Sequence, residues 1–228
     1  MNFYFSFCKP YIFHLCKVNY SKIYTRTGDK GKSSLYTGER RNKDDCVFAA
    51  LGDVDELSCH LGDARFEIKR AKVNFLINID KHLFDIQCNL QDVGTSVAVP
   101  FDKRNESIQN KIGFNHSHTE LLEKLIDEMT GTLPVLKNFI LPCSESKISS
   151  KLHLSRAVCR RCERSLNHSN LENQIEPSVL TYINRLSDYL FTAARYSSNQ
   201  LGYQDSVYIK QTFSCSSSKA SIVVQLGE

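Results

Sequence analysis

The sequence predicts an all-α protein, a bundle of five helices. Apolar side chains recur at i, i+3 or i+4 spacing over five long segments, which is the pattern of helices that bury one face. Alternating, strand-like patterning is confined to residues 206–209. No internal repeat divides the chain, and 228 residues with 41% hydrophobic content suit one globular domain with its own core.

The five predicted helices span residues 45–65, 73–97, 120–129, 149–168 and 177–199. Pro100 ends the second helix, and Thr119 is expected to cap the third. Pro177 stands in the first turn of the fifth helix, where its missing N–H costs no hydrogen bond. Residues 101–118 are polar and lack clean periodicity, so we expect a surface loop there. Residues 20–45 are expected to form a loop or a short extended segment.

The N-terminal leader differs in composition from the rest of the chain. Residues 1–22 carry three lysines and no acidic side chain, and removing those lysines takes the net charge from +4 to +1. A basic, aromatic, acid-free leader favours a mitochondrial transit peptide and a location in the mitochondrial matrix. A secretory signal, whose apolar region Lys9-Pro10 would interrupt, and a disordered extension are the alternatives. The predicted divisions are the leader at 1–21, a helical-bundle domain at 22–200 and a C-terminal tail at 201–228.

Charge and hydropathy argue against two classes of partner. The chain has 29 basic and 25 acidic side chains, an excess too mild for the concentrated basic face that nucleic acid requires. No stretch approaches the roughly 20 uninterrupted apolar residues of a membrane span. We therefore expect neither a nucleic acid nor a membrane as partner.

The cysteine count is odd, at nine, and most of the cysteines lie in helical patterns. We therefore expect reduced, buried thiols rather than a disulfide framework. The helical cysteines are Cys46, Cys59, Cys88, Cys159 and Cys162. The last two have CxxC spacing, but a zinc site needs a second ligand pair and a thioredoxin-like site needs a βαβ context. Neither is found in the sequence, so no metal site is predicted from these thiols.

A polar segment at residues 25–34 has the composition of a phosphate-binding loop. It combines hydroxyl groups, ammonium groups and glycines that leave backbone amides accessible. Gly31-Lys32-Ser33 resembles the end of a P-loop, but that motif requires glycine where Arg26 stands and a preceding buried strand. The segment is therefore not a Walker motif, and a flexible linker is an equal alternative on composition.

The fourth predicted helix carries four arginines in the nine residues 156–164. Helical spacing places Arg156, Arg160 and Arg164 on one face, where they repel each other unless an anion or acidic groups neutralise them. Guanidinium groups match phosphate oxygens in a two-pronged geometry, so a phosphate ligand is one interpretation. A solvated charged face with Glu163 as internal counter-ion is the other.

Polar side chains on two further helices are candidate partners of these arginines. Asp53, Asp55 and Glu56 on the first helix either form a carboxylate pair for acid–base chemistry or neutralise the arginines, and the second interpretation is more economical. Asn184 and Asp188 share a face of the fifth helix that differs from its apolar stripe. That face indicates either a binding site or simple exposure to solvent.

Taken in order, these motifs resemble the PduO-type ATP:cob(I)alamin adenosyltransferases, and most of all their mitochondrial animal-type members. The matching motifs are KIYTRTGDKG at 22–31, TGERR at 37–41, KDD at 43–45, VDEL at 54–57, LQDVG at 90–94, FILP at 139–142, RAVCRR at 156–161 and NRLSDYL at 184–190. Each motif is weak alone, but their order and spacing over about residues 22–200 make the resemblance specific.

The resemblance implies a homotrimer of five-helix bundles with active sites between subunits. It implies that ATP is bound by Thr25, Arg26, Thr27, Gly28, Ser33, Ser34, Lys43, Arg160, Arg161, Glu163, Arg164 and Asn184. Asp55 and Arg156 match a carboxylate–arginine pair that crosses the subunit interface in the family. Phe139 matches an aromatic residue that crowds the lower face of the corrin ring and displaces the lower axial ligand of cobalt.

The implied reaction transfers the 5′-deoxyadenosyl group of ATP to cobalt(I) of cobalamin and releases triphosphate, with Mg²⁺ as cofactor. The nucleophile belongs to the corrinoid, so no activated serine, cysteine or base is required. The residues expected to act in catalysis are Arg161, Arg160, Phe139, Arg156 and Asp55. An adenosylcobalamin-dependent acceptor enzyme is the expected partner for the product. A corrinoid-delivery protein with weak catalysis and a purely structural bundle are the alternatives from other classes.

Overall fold

The structure, a computed structural model, describes residue 24 and residues 26–142, 145–169 and 174–211, without the side chain of Phe75. Six α-helices lie in these ranges: α1 (Cys46–Ala71), α2 (Ile77–Val97), α3 (Glu106–Ile112), α4 (Ser117–Thr130), α5 (Lys147–Ser169) and α6 (Pro177–Gln200). Two short strands, β1 (Lys32–Ser34) and β2 (Arg40–Asn42), form an antiparallel hairpin before α1. The all-α prediction is therefore confirmed, with five long helices and one short one.

The long helices pack as a bundle around one apolar core. Helix α5 lies against both α1 and α6, α1 also packs on α2, and α4 packs on α6. Each long helix contributes a stripe of buried side chains, and burying one leucine or isoleucine stabilises the fold by roughly 1.5–3 kcal/mol. Fully buried members of this core include Leu57, Leu61, Leu83, Leu90, Leu152, Leu166, Ile183 and Leu186. No helix in the described ranges is long and apolar enough to cross a membrane.

The helix ends follow local sequence signals. Asp45 caps α1 by accepting a hydrogen bond from the Val47 amide at 2.9 Å, and Lys72 ends that helix in the left-handed region at φ 52°. Pro177 is in the first turn of α6, as predicted. Helix α1 continues six residues beyond its predicted end at residue 65, because Ile68 still faces the core there.

Two predictions about residues 101–119 are wrong. Residues 101–118 are not a single surface loop, because α3 forms there with Asn105 accepting a hydrogen bond from the Ile108 amide at 2.9 Å. Thr119 does not cap α4, which begins two residues earlier, where the Asn115 side chain accepts from the Ser117 amide. Thr119 instead points into the core with a buried hydroxyl.

The expectation of buried thiols holds for some cysteines and is wrong for others. Cys159 and Cys162 are fully buried, and burial raises the pKa of Cys162 to about 12 and that of Cys159 well above its usual value. Cys46 is half-buried, whereas Cys59 and Cys88 are exposed on α1 and α2. All five are free thiols. Within the described residues no three His, Cys, Asp or Glu side chains cluster as a metal site would.

A buried ion pair fixes the connection between α2 and α4. Arg104 donates to Glu176 at 2.6 Å and to the carbonyl oxygen of Ser96 at 2.6 Å. Burial raises the pKa of Glu176, but Arg104, the Phe114 amide and Gln109 together outweigh it, so the pKa of this carboxyl lies below its usual value. Because the pair is fully hydrogen-bonded, it holds the segment between the two helices to the start of α6.

Candidate functional site

The hairpin before α1 gathers the polar side chains of the predicted phosphate-binding segment. Gly31 adopts a positive φ of 73°, and its carbonyl oxygen accepts a hydrogen bond from the Lys43 amide at 2.9 Å, which closes the hairpin. The Lys43 side chain lies over Gly28, since a Cβ atom at residue 28 would be 3.2 Å from Nζ. Arg40 donates to the carbonyl oxygen of Thr27 at 2.8 Å. The loop therefore presents an ammonium group against glycine backbone, which suits a polyphosphate.

The remaining predicted residues of this segment lie beside that loop. Ser33 and Ser34 are in β1, and Arg26 precedes the turn with its guanidinium 5.4 Å from the ring centre of Tyr24. Thr25 lies outside the described residues, as do the predicted leader and most of the predicted tail.

The bundle holds the hairpin in place by one apolar anchor and two polar contacts. Leu35, at the turn between the strands, is buried with 4% of its surface exposed. The Tyr36 amide donates to the carbonyl oxygen of Ala98, and Lys103 forms an ion pair with Glu39 at 3.1 Å. The hairpin is thus attached to the end of α2, although its sequence alone indicates a loop or a short extended segment.

Acidic residues of α1 neutralise one of the four arginines of α5. Arg161 donates to Asp53 at 3.0 Å and also pairs with Glu56, and Ser165 donates to the second oxygen of Asp53. The hydrogen bond from Arg161 lowers the pKa of Glu56, and Glu56 in turn raises the pKa of Arg161. The more economical interpretation of the acidic residues is therefore confirmed for Asp53 and Glu56.

Arg160 and Arg164 leave their guanidinium groups accessible. Both side chains are exposed, and Arg164 donates to the carbonyl oxygen of Arg160 at 3.0 Å. Within the described residues the Arg160 side chain makes neither an ion pair nor a hydrogen bond. One turn along, Glu163 accepts a hydrogen bond from Asn184 of α6 at 2.7 Å, so two more predicted site residues are in direct contact. Among the described residues, Arg160 and Arg164 are therefore cations without an acidic partner.

An open cavity of about 370 Å³ lies between the start of α1 and the arginines of α5. Its walls include Asp44, directly after the hairpin, together with Arg161 and Arg164. The predicted proximity of the N-terminal segment, residues 25–43, and the arginine-rich helix stays a prediction, because none of those residues lines this cavity. His168 and Ser165 complete the polar side of this cavity.

Asp55 and Arg156 do not form an ion pair within the described part of the chain. Asp55 is exposed on α1. Arg156 lies with its guanidinium 5.6 Å from the ring centre of Phe191, and its buried Nε atom has no hydrogen-bond partner among the described residues. Next to it, burial and the positive charge of Arg156 together lower the pKa of His153 to about 4.

Phe139 lies in a loop after α4, at residues 133–142, which we call the Phe139 loop. Its ring is 86% exposed. It lines an open cavity with Leu136 and Tyr208, and none of the residues that line this cavity belongs to the arginine cavity. The adjoining cavity, of about 400 Å³, is lined by the start of the loop and by Arg195 and Asp205. An exposed aromatic ring beside open cavities suits contact with a large, flat ligand.

The sequence profile of the cobalamin adenosyltransferase family matches residues 23–197, a span that contains the hairpin, the arginines of α5 and the Phe139 loop. The chain belongs to the cobalamin adenosyltransferase family. Corrinoid adenosyltransferase MMAB of Homo sapiens is 46% identical over 189 residues, which are 83% of this chain and 74% of the human protein. The corrinoid adenosyltransferase of Bacillus subtilis is 36% identical and covers 82% of this chain and 92% of its own length. The predicted enzyme class is thereby confirmed.

Solved structures of this family have the same fold. A phenylalanine-to-alanine variant of the PduO-type ATP:corrinoid adenosyltransferase from Lactobacillus reuteri, complexed with cobalamin and ATP, matches with a TM-score of 0.73 and 35% identity. It covers 83% of this chain and all of the bacterial chain. An arginine-to-lysine variant of the same enzyme, complexed with ATP, also has a TM-score of 0.73, with 36% identity. Both predicted substrates are thus bound in relatives of this family.

Sequence reasoning missed two features of the site. It gave no role to Arg195 and Asp205, which form an ion pair at 2.8 Å beside the Phe139 loop. It also missed the contact of Lys43 with Gly28. Gly28 lies in a polar segment whose sequence does not indicate which side chain will lie over it. The Arg195–Asp205 pair depends on the reversal of the chain after α6, which the sequence does not indicate either.

Proposed function

We propose that this enzyme transfers the 5′-deoxyadenosyl group of ATP to cobalt(I) of cobalamin. The observation that carries the proposal is the family match, which spans the hairpin, the arginine helix and the Phe139 loop together. In the reaction, the electron pair of cobalt(I) attacks C5′ of ATP and forms the Co–C bond. The C5′–O bond breaks at the same time, and triphosphate leaves with the electron pair of that broken bond. The protein has to align the two substrates and neutralise the triphosphate.

The hairpin is the proposed cradle for the ATP phosphates. Its accessible amides, its hydroxyl groups and the Lys43 ammonium group are the donors that a polyphosphate requires. The contact between Lys43 and Gly28 supports this role, because the absent side chain at residue 28 leaves the ammonium group room over the loop. The proposed cradle consists of Thr25, Arg26, Thr27, Gly28, Ser33, Ser34 and Lys43.

The arginines of α5 are proposed to meet the charge of the departing triphosphate. Asp53 and Glu56 hold Arg161 in a fixed orientation, so its guanidinium does not have to be ordered when ATP binds. Arg160 and Arg164 are accessible beside it and supply charge that is not already neutralised. Such fixed cations stabilise charge that develops in the transition state.

Glu163 and Asn184 fit a magnesium ion that travels with ATP. Mg²⁺ prefers oxygen ligands and is usually held by substrate phosphates, water and one or two protein oxygens. The half-buried Glu163 carboxylate, oriented by Asn184 at 2.7 Å, offers such an oxygen at the end of α5. When bound, the ion would neutralise part of the triphosphate charge.

Phe139 is proposed to occupy the lower face of the corrin ring. Its ring is exposed beside open cavities and is therefore accessible to a flat ligand. A four-coordinate cobalt(II), without a lower ligand, is easier to reduce to the cobalt(I) nucleophile. Phe139 would therefore act on the corrinoid and not on ATP.

The first test addresses the cradle. Gly28→Ala would place a Cβ atom 3.2 Å from the Lys43 Nζ atom, so the flexible lysine has to move away from the loop. We expect KM for ATP to rise about tenfold, equivalent to roughly 1.4 kcal/mol of lost binding, while the fold is unchanged. Steady-state kinetics at saturating cobalamin measure this. Gly52→Ala in α1, where an added Cβ meets nothing within 4 Å, is the matched control, and equal KM values for the two variants would contradict the cradle.

We propose the homotrimer that the family resemblance implies, and the state of Arg156 and Asp55 supports a contact between its subunits. A buried guanidinium nitrogen without a partner costs free energy unless another chain supplies an acceptor, and Asp55 is exposed and forms no ion pair with another described residue. We therefore propose that Asp55 of one subunit pairs with Arg156 of the next.

Charge exchange tests this interface. Asp55→Arg and Arg156→Asp should each dissociate the trimer at micromolar concentration, because like charges then face each other, whereas the double variant should restore it. Sedimentation velocity measures the oligomeric state of the two single variants and of the double variant. If the double variant sediments as an assembly no larger than that of either single variant, the proposed pairing of Asp55 with Arg156 is wrong.

Location and delivery complete the proposal. The basic leader supports import into the mitochondrial matrix, where an adenosylcobalamin-dependent acceptor enzyme would take the product. Fusion of residues 1–21 to a fluorescent protein tests the first statement, since fluorescence outside mitochondria would contradict it.

A further inference from the structure

The Phe139 loop cannot hold its aromatic residue in place by burial. Val135 is 83% exposed and Phe139 86% exposed, so neither packs against the bundle. A side chain that must meet a ligand face at a defined distance needs a fixed backbone, because a displacement of about 1 Å in a reactive complex can cost on the order of 10²-fold in rate. The backbone of the loop must therefore be fixed by other parts of the chain.

The segment after α6, residues 203–211, supplies backbone hydrogen bonds to the end of the loop. Gly202, at φ 81°, reverses the chain after α6, and the Tyr203 amide then donates to the carbonyl oxygen of Ser198. The returning segment runs antiparallel to the loop. The Tyr208 amide donates to the carbonyl oxygen of Phe139 at 2.8 Å, and the Leu141 amide donates to the carbonyl oxygen of Ser206 at 2.7 Å.

The guanidinium group of Arg195 binds both the Phe139 loop and the segment after α6 to the bundle. Arg195 of α6 is 8% exposed; its Nε donates to Asp205 at 2.8 Å, and its Nη2 donates to the carbonyl oxygen of Pro134 at 3.0 Å. Pro134 is at the start of the Phe139 loop, and Asp205 belongs to the segment that pairs with the end of the loop. Arg195 therefore fixes both ends of the loop to one helix.

We infer that Arg195, Asp205 and the backbone pairing of residues 206–208 form a positioning device that sets the height of Phe139 over the corrinoid. The inference rests on the proposed function, in which Phe139 contacts the corrin ring. Arg195 and Asp205 are positioning residues: they act through the loop backbone and not on cobalt or ATP. Both residues line the adjacent cavity of about 400 Å³ together with the start of the Phe139 loop.

Substitution of Asp205 tests the ion pair. Asp205→Asn removes the counter-charge of a buried guanidinium while keeping the shape of the side chain. We expect the fraction of four-coordinate cobalt(II) in the ATP-saturated complex to fall, turnover from cobalt(II) to drop about tenfold, and the Kd for ATP to stay within about twofold. Asp205→Glu, which keeps the charge, should recover most of the four-coordinate fraction. A general structural role would instead weaken ATP binding and the corrinoid effect together.

Substitution of Tyr208 tests the backbone pairing with a matched control. Tyr208→Pro removes the N–H that reaches Phe139, whereas Tyr208→Ala removes the same side chain and keeps the N–H. The proline variant should lose the four-coordinate signal beyond any loss in the alanine variant. Hydrogen exchange of the Leu141 amide should accelerate in Tyr208→Pro and in Asp205→Asn, and remain slow in Tyr208→Ala.

These measurements separate the two proposals. If Asp205→Asn and Tyr208→Pro keep the four-coordinate fraction, the turnover and the slow Leu141 exchange of the unmodified protein, the positioning device is wrong. If the unmodified protein transfers no adenosyl group, the proposed function is wrong. In that case the exchange rates still decide whether the ion pair and the backbone pairing hold the loop.

Discussion

Arg161→Ala is expected to lower kcat/KM for adenosyl transfer by on the order of 10²–10³-fold, the usual loss when one fixed charge contact to a transition state is removed. The substitution removes a cation from the cavity that Arg161 and Arg164 line, and it also frees two carboxylates, Asp53 and Glu56, that Arg161 neutralises. Negative charge would then face the departing triphosphate. Release of triphosphate, followed with purified protein and reduced cobalamin, measures the loss.

The fold should survive this substitution. The ion pairs of Arg161 are partly exposed, and such pairs contribute little to the free energy of unfolding. Arg161→Lys keeps the charge but not the two-pronged geometry, so its activity should lie between that of the unmodified protein and that of Arg161→Ala. Arg70→Ala, at the end of α1, removes an arginine that also pairs with a carboxylate and serves as the control. Turnover of Arg161→Ala equal to that of Arg70→Ala would show that Arg161 has no part in the reaction.

Phe139→Ala is expected to slow turnover from cobalt(II)cobalamin by about 10²-fold or more while the Kd for ATP changes by less than about twofold. The reason is geometric: Phe139 lies in a loop whose cavity shares no lining residue with the arginine cavity, so its loss leaves the ATP contacts intact. Without the ring, the lower ligand of cobalt stays bound and cobalt(II) remains hard to reduce.

Electron paramagnetic resonance of the ATP-saturated cobalt(II) complex measures this effect directly. The unmodified protein should show a four-coordinate signal, and Phe139→Ala a five-coordinate one. Phe66→Ala, which removes a ring that is 61% exposed from α1, is the matched control and should keep the four-coordinate signal. A full four-coordinate population in Phe139→Ala would remove Phe139 from the mechanism.

The long helices could be predicted because each carries a continuous apolar stripe. Leu152, Val158 and Leu166 recur on one face of α5 and are buried. Burial of that face stabilises the helix regardless of which residues occupy its polar face. Helix α3 has no such stripe and no buried residue, so its existence depends on the Asn105 cap and on the Arg104–Glu176 pair nearby. The Arg104–Glu176 pair joins residues 72 positions apart, which local sequence cannot indicate.

The candidate site was predictable to a similar extent. Charge balance alone indicated that Asp53 and Glu56 neutralise the arginines, because four like charges on one helix require partners. The same argument could not choose among the four arginines, and the structure assigns the acidic partners to Arg161. The hydrogen bonds by which Arg195 holds the Phe139 loop could not be predicted from the sequence, because they depend on the path of the chain after Gly202.

Conversion of cob(I)alamin and ATP by the purified protein tests the central claim most directly. Under anaerobic conditions with excess reductant, the account predicts the absorbance change from cob(I)alamin to adenosylcobalamin, with one triphosphate released for each adenosylcobalamin formed. A protein that binds ATP and corrinoid but leaves the cob(I)alamin spectrum unchanged, or that releases diphosphate or phosphate instead of triphosphate, would contradict it.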